Sequence, residues 1–212
     1  MHSDSARVGT TFIRGTSETL NRRGFIQTGS LLGPSFNTEQ IRQSLDKQGA
    51  SYRLIEDREQ LAEHVARLLA DQKVVGWMQG RMEFGPRALG SRSILGDARS
   101  REMQSVMNRK IKFRESFRPF APVILADHVH EYFEMEEGQI SPYMLLVADV
   151  QDGQRSELSD QDRQQRGVDK LQVCRSRVPA ITHVDNSARV QTADPVHAPE
   201  LHRLLESFYQ QT

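Results

Sequence analysis

Residues 80–118 concentrate positive charge in a way that the folded chain must accommodate. This stretch holds ten basic residues against four acidic ones, whereas the whole chain of 212 residues has 28 basic and 28 acidic residues. Glycines recur through the same segment, and they allow the backbone to turn tightly and to approach a ligand. Because like charges repel in a compact structure, the pattern indicates a pocket in which the cations surround a multiply charged anion.

Length and composition narrow the class of protein. A chain of 212 residues fits one domain, or one domain with an appendage. Zero net charge disfavours a general nucleic-acid or membrane-surface binder, in which basic charge is more widely spread. The single cysteine, Cys174, allows no intramolecular disulfide, and no apolar run approaches the roughly 20 residues of a membrane helix. We therefore expect a cytoplasmic protein without a membrane span.

The first part of the chain is predicted to be a leader without fixed structure. Residues 1–31 are rich in serine, threonine, glycine and arginine and lack hydrophobic periodicity, which is typical of a flexible lead-in. Residues 21–26 resemble a twin-arginine export signal, but residues 27–30 interrupt the apolar region that should follow. An ordinary polar leader is the favoured interpretation.

Hydrophobic periodicity predicts interleaved helices and strands over residues 32–212. Helices are expected at about 38–48, 58–72 and 100–110, in a single turn at 86–89, around His128 and His130, and from Pro199 onward. Strands are expected near 52–55, 74–78, 93–95, 119–125, 144–150 and 178–184, with a long polar loop at 151–175. This order predicts the α/β (or α+β) class, built around a mixed sheet.

One basic motif runs from residue 110 to residue 119. If its first part is extended, the cations at 110, 112 and 114 lie on one face and the apolar side chains at 111 and 113 on the other. An anion bound on that face would relieve the repulsion among the cations, since arginine and lysine both bind phosphate oxygens. The alternative is a solvated basic strand edge.

The other basic motif, GRMEFGPRALG at residues 80–90, follows a predicted strand. It matches neither a Walker A loop nor a dinucleotide-binding fingerprint. Spacing alone therefore indicates only a glycine-rich turn that carries arginines. Within it, Glu83 is expected to hold Arg87 or another arginine, or to form an exposed ion pair.

Four segments of the chain together resemble one known family and occur in its order. They read GRMEFGPRALGSRSIL, NRKIKFRESFRPFAPVIL, SPYM and THVDNSARVQT. The family is that of the carbamoyltransferases of the nodulation-protein and antibiotic-tailoring type, which carbamoylate hydroxyl groups. The resemblance covers their C-terminal, YrdC-like domain, from about residue 32 to residue 209. It implies a twisted mixed sheet flanked by helices.

The resemblance also implies a reaction in two steps. The YrdC-like domain binds ATP, with Mg²⁺ on the nucleotide, and carbamoyl phosphate, and makes carbamoyl-adenylate. A separate Kae1-like N-terminal domain, which is iron-dependent, passes the carbamoyl group to an acceptor hydroxyl. We therefore expect an enzyme domain whose partners are ATP, carbamoyl phosphate and that acceptor domain. No metal ligand within the chain is predicted.

The motif match carries the family's anion-binding roles onto particular residues. The resemblance implies catalytic roles for Lys112, Arg118 and Arg87, and nucleotide-binding roles for Arg114, Arg189 and His183. His183 and Asp185 are weaker candidates, because a structural histidine and a turn-forming aspartate explain them equally well. Asn186 stands where the family commonly has glycine.

Two departures from the family qualify this reading. The family continues past the last helix into a threonine-glycine turn and an Asn-Thr-Ser-Phe-Asn segment, so we expect a domain that is incomplete at its C-terminus. The acceptor domain is also absent from the sequence. One alternative is a non-catalytic nucleotide- or RNA-binding YrdC-like module, although neutral charge and few aromatic residues in the basic stretch disfavour RNA. Another is an inactive remnant that still folds.

Overall fold

The computed structural model describes residues 29–167 and 169–212, and in that part of the chain helices and strands interleave. The strands are β1 (Val75–Met78), β2 (Arg92–Leu95), β3 (Val123–Leu125), β4 (Leu146–Asp149) and β5 (Ser187–Ala193). The helices are α1 (Thr38–Lys47), α2 (Arg58–Ala70), α3 (Met103–Val106), α4 (Val129–Tyr132), α5 (Asp160–Gln164) and α6 (Pro199–Gln211). Nearly all of the predicted lead-in, including the export-signal look-alike, lies outside the described residues.

The strands form two small sheets. β1 and β2 pair antiparallel, with Val75 opposite Leu95. The second sheet has the order β3-β5-β4, in which β3 runs parallel to β5 and β4 runs antiparallel to it. The predicted mixed α/β class is therefore confirmed, and β5 is the central strand of the mixed sheet.

Two apolar clusters support these sheets. The larger one surrounds the mixed sheet and contains the fully buried Phe133, Val150 and Val190. The smaller one joins α2 to α6 and to β1, with Leu204 and Trp77 at its centre. Both helices begin as the sequence predicts, since Asp57 caps α2 through the N–H groups of residues 59 and 60 and proline opens α6. Among the described helices, each is too short or too polar to span a bilayer.

Several local predictions are wrong. Residues 52–55 form no strand; Tyr52 instead donates its hydroxyl to Asp46 of α1 at 2.8 Å, on the surface. Residues 86–89 make bends rather than a helical turn. Residues 178–184 form turns, because Thr182 donates its hydroxyl to the Val178 carbonyl at 2.9 Å and closes the chain on itself. The long loop predicted at 151–175 contains α5 and two 3₁₀ turns.

The glycine-rich loop between β1 and β2 is organised by one buried carboxylate. Glu83 Oε1 accepts the backbone N–H groups of Leu89 and Ser91 at 2.7 and 2.8 Å, and Oε2 accepts Arg92 Nε at 3.1 Å. The Glu83 side chain is 0% exposed. Burial by itself would raise the pKa of Glu83, but these hydrogen bonds together lower it below its usual value. Glu83 therefore holds an arginine, Arg92, as one of the two alternatives predicted. The other prediction, an exposed ion pair, is wrong.

We expect Glu83→Gln to destabilise the protein by roughly 2 kcal/mol at neutral pH, because it removes a charged hydrogen-bond acceptor from a buried site. A carboxyl whose pKa is lowered in the folded state stabilises above its unfolded pKa of about 4.3 and loses that contribution as pH falls through the folded value. The difference in unfolding free energy between parent and variant should therefore shrink in acid. Urea unfolding from about pH 3 to about pH 8 measures it. The control is Glu137→Gln at an exposed position. A difference in unfolding free energy between the parent and Glu83→Gln that did not change with pH would contradict the expectation.

Gly90 marks where the same loop packs on α6. Its φ is +108°, and a Cβ at this position would collide with the Leu201 side chain. Gly138 also has a positive φ, of +78°, but open space surrounds it. We expect both alanine variants to lose about 1 kcal/mol from backbone strain, and Gly90→Ala to lose a further 1–3 kcal/mol, roughly, from overpacking. Thermal or urea unfolding measures the difference. Equal unfolding midpoints for Gly90→Ala and Gly138→Ala would show that the contact between residue 90 and α6 is unimportant.

Candidate anion-binding site

Two predicted site residues that are distant in the sequence are close enough in the structure to influence each other electrostatically. Arg189 projects from the central strand β5, opposite Val147 of β4, and Arg87 comes from the glycine-rich loop. The Nε of Arg189 is buried and has no hydrogen-bond partner among the described residues. Burial lowers the pKa of Arg189, and the nearby positive charge of Arg87 lowers it further. A buried donor without an acceptor, next to a second cation, is the arrangement that an anion completes.

The arginine pair is held at the junction of the loop and the strand. Gln191, two residues after Arg189 on β5, donates its side-chain N–H to the carbonyl of Leu89 at 2.8 Å in a buried hydrogen bond. Leu89 lies two residues after Arg87, and its own N–H is bound by Glu83. The loop is thus fixed to the strand close to both guanidinium groups.

The basic motif at residues 110–119 does not have the extended conformation considered from the sequence. Residues 107–111 form a π-helical turn, Lys112 remains in the helical region, and Phe113 has φ of +48°. The reason is Asn108, which is fully buried and donates its side-chain amide to the carbonyls of Ser116 and Arg118 at 3.1 and 2.7 Å. These bonds fold residues 112–118 back over α3, so the single face of three cations is wrong.

The three predicted cations of this loop differ in how firmly they are held. Arg114 donates Nε to the Asn108 side chain and lies over the ring of Phe120, 4.8 Å from its centroid. Arg118 makes a long, exposed ion pair with Glu115 at 3.8 Å. The Lys112 side chain is exposed and makes no hydrogen bond or ion pair with the described residues, although its backbone N–H donates to the Met107 carbonyl. One cation is therefore fixed in place, and two can rearrange toward a ligand.

The topology places this loop at the same end of the mixed sheet as Arg189. β3 and β5 are parallel, with Val123 opposite Gln191. The loop containing Arg118 leads into β3, and Arg189 precedes Gln191, so both lie at the amino-terminal end of the parallel pair. Among the predicted site residues of the described chain, Arg87 and Arg189 influence each other electrostatically, and so do His183 and Asp185.

Asp185 and Asn186 shape the turn that leads into β5. Asp185 accepts hydrogen bonds from the Ser187 hydroxyl and backbone N–H at 2.8 and 3.1 Å, which lower the pKa of its carboxyl. Asn186 has φ of +67°, a conformation that glycine also adopts readily. Asp185 is therefore a turn-forming residue. His183 closes the turn through its backbone N–H to the Ser187 carbonyl at 3.0 Å, and nucleotide binding by its side chain stays a prediction.

Sequence reasoning missed the two amides that position the site. Asn108 gave no signal, because it stands at the end of an amphipathic helix where a polar residue is ordinary. Gln191 gave no clear signal either, because β5 also contains Ser187, Arg189 and Thr192, and only the structure shows that Gln191 is 4% exposed. A polar residue in a buried strand requires a hydrogen-bond partner.

A cavity of about 130 Å³ lies elsewhere, between β3 and the end of α6. Its wall is mainly apolar and includes Ile124, Leu125 and Phe208. None of the predicted site residues lines it, and an apolar cavity of this kind does not suit a polyphosphate. The arginine pair remains the better candidate for an anion.

Comparison with known proteins agrees with the sequence resemblance. The sequence model of the family described as "Carbamoyltransferase C-terminus" matches residues 66–212. Protein sll1178 of Synechocystis sp. is 52% identical over 195 residues, covering 91% of this chain and 31% of that protein. Nodulation protein NolO of Bradyrhizobium diazoefficiens is 34% identical over 181 residues, covering 85% and 29%. The 3'-hydroxymethylcephem-O-carbamoyltransferase of Streptomyces clavuligerus is 40% identical over 146 residues, covering 67% and 22%.

The matched region contains both arginines of the pair and the loop at residues 112–118. The chain spans less than a third of the length of each of these three relatives. The family match covers more than half of the chain and includes every predicted site residue. This chain therefore belongs to the carbamoyltransferase C-terminal family.

Proposed function

We propose that this chain is the part of an O-carbamoyltransferase that binds ATP and carbamoyl phosphate and forms carbamoyl-adenylate. The observation that carries the proposal is the buried Nε of Arg189, which lacks an acceptor and lies beside Arg87. A phosphate group offers several acceptor oxygens in a geometry that guanidinium groups match, and its negative charge offsets the repulsion between the two arginines. Both substrates carry such groups.

The cations would act by positioning and by charge stabilisation. Formation of carbamoyl-adenylate from the two substrates consumes one water and releases pyrophosphate from ATP and inorganic phosphate from carbamoyl phosphate. Negative charge therefore grows on two leaving groups, and donors that are already in place stabilise it at the least cost in reorganisation. Arg87, Arg189 and the fixed Arg114 suit that role. Lys112 and Arg118 would close on the phosphates after binding.

The metal requirements belong to the nucleotide and to another domain. Among the described residues, no cluster of three or more histidine, cysteine, aspartate or glutamate side chains is arranged to hold a metal ion. We propose that Mg²⁺ arrives bound to ATP. Transfer of the carbamoyl group to an acceptor hydroxyl would take place in a separate, Kae1-like domain that is expected to contain iron.

One observation favours a second candidate, a nucleotide- or RNA-binding module without chemistry. Three phenylalanines of the basic stretch are exposed, namely Phe84 at 71%, Phe113 at 85% and Phe117 at 49%. Exposed aromatic rings among cations are typical of surfaces on which bases stack. A steep dependence of RNA affinity on salt, without turnover of carbamoyl phosphate, would favour this candidate over the enzyme.

The arginine pair predicts a coupled change in stability and binding. We expect Arg189→Met to raise the free energy of unfolding by up to about 1 kcal/mol without ligand, because it removes a buried unpartnered donor and a like-charge contact. The same variant should bind carbamoyl phosphate or pyrophosphate roughly 10- to 100-fold more weakly. Calorimetric titration and urea unfolding measure the two quantities. The control is Arg101→Met, an exposed arginine of the same stretch.

If Arg189→Met kept the parent affinity for both anions, the site would have to lie elsewhere. If it weakened binding but also destabilised the ligand-free protein, Arg189 would stabilise the fold as well as bind the anion. Arg101→Met should match the parent in both measurements.

The chemistry predicts pyrophosphate release that requires both substrates. In the full-length protein, ATP should yield pyrophosphate only when carbamoyl phosphate is added, and Lys112→Ala should reduce that rate by roughly 10- to 1000-fold. Lys112 is exposed and unpaired within the described chain, so its removal should leave the thermal midpoint unchanged. Parent-like release by Lys112→Ala would remove that lysine from the site.

A further inference from the structure

We infer that Gln191 is a positioning residue, whose side-chain amide holds the glycine-rich loop on β5 so that Arg87 and Arg189 stay at the spacing that one phosphate group requires. The inference rests on the proposed function of the arginine pair. It adds a residue that touches neither substrate but sets the geometry of the groups that do.

The first argument is the symmetry of the connection. Side chains alternate along a strand, so Arg189 and Gln191 lie on the same face of β5. Gln191 donates to the carbonyl of Leu89, and Leu89 follows Arg87 by two residues, just as Gln191 follows Arg189. The hydrogen bond therefore joins the loop to the strand two residues beyond each arginine.

The second argument is that this junction bears a repulsive force. Two adjacent guanidinium groups without a bound anion repel each other, and the loop can move away from the strand to relieve the repulsion. Leu89 is held from both sides, by Glu83 Oε1 at its N–H and by Gln191 at its carbonyl. β5 cannot follow the loop, because it is the central strand and Gln191 N–H binds the Pro122 carbonyl at 3.0 Å.

The third argument is that the amide suits the task better than other side chains. Gln191 is 4% exposed, so water does not compete for the Leu89 carbonyl. A lysine or arginine would add a third positive charge to the pair, and an apolar side chain would leave the carbonyl without a donor. A neutral donor of this length is therefore required at this position.

A structural role and a positioning role predict different results. A merely structural hydrogen bond would lower the free energy of unfolding and leave the affinity for anions unchanged. A positioning role lowers the affinity as well, and the loss of stability depends on the repulsion from Arg87. Thr192 provides a matched control, since it is buried on the same strand, faces the opposite side, and accepts the Ser141 N–H at 2.7 Å.

The test is calorimetric titration of the 212-residue chain with inorganic pyrophosphate. We expect Gln191→Met, which keeps the volume but removes the donor, to bind pyrophosphate roughly tenfold more weakly than the parent. Thr192→Val should keep the parent affinity while losing a similar amount of stability. Parent-like binding by Gln191→Met, beside weakened binding by Arg189→Met, would overturn the inference and leave the proposed function intact. A parent chain that does not bind pyrophosphate would overturn both.

A double variant covers the case in which Gln191→Met does not fold. Arg87→Met removes the repulsion that the Gln191 amide opposes, so the pair Arg87→Met and Gln191→Met should be more stable than Gln191→Met alone. The change that Arg87→Met causes in the free energy of unfolding should also differ between Gln191→Met and the parent, and equal changes in the two backgrounds would overturn the inference. The comparison is a double-mutant cycle, and it isolates the coupling between the amide and the charge.

Discussion

The buried carboxylate of Glu83 is the constraint on which the rest of the site depends. A carboxylate without solvent must receive hydrogen bonds from its surroundings, because an unpaired buried charge costs several kcal/mol, on the order of a domain's whole stability. The donors available nearby are the backbone N–H groups of residues 89 and 91 and the side chain of Arg92. Binding all three fixes the course of the loop. Arg87, which lies inside the closed segment, is presented to β5 as a consequence.

Some cations of the basic stretch pair with carboxylates of the fold, and others stay unpaired and can meet a ligand. The sequence suggests only the second role. Arg92 and Arg99 are taken up by buried carboxylates, Glu83 and Asp97, and so stabilise the fold. Arg87 and Lys112 make no such pairs within the described residues. The local excess of positive charge therefore overstates the number of groups available to a ligand, and the pairing shows which ones remain.

The sequence predicted elements whose signals are local and failed where a distant contact decides the conformation. The helices α2 and α6 were predicted because caps and apolar spacing lie within the elements themselves. The backbone near Lys112 was not, because the buried amide of Asn108 binds carbonyls eight and ten residues further on. The same distinction holds in the site. The family motifs predicted roles for Arg87 and Arg189, but only the strand register and the loop closure explain how the two come near each other.

The pair of Arg87 and Arg189 lowers the stability of the fold. A buried donor without an acceptor and two nearby like charges each lower stability. Replacing Arg189 with an apolar residue would relieve both, whereas replacing Arg87 would relieve only the repulsion. Features of this kind persist where binding or catalysis requires them, because selection acts on function once stability suffices. Glu83 accepts the N–H of Leu89 and Gln191 donates to its carbonyl, and these hydrogen bonds restrict movement of the loop away from β5. Under the proposed function, these buried polar side chains hold the two cations in place before the anion binds.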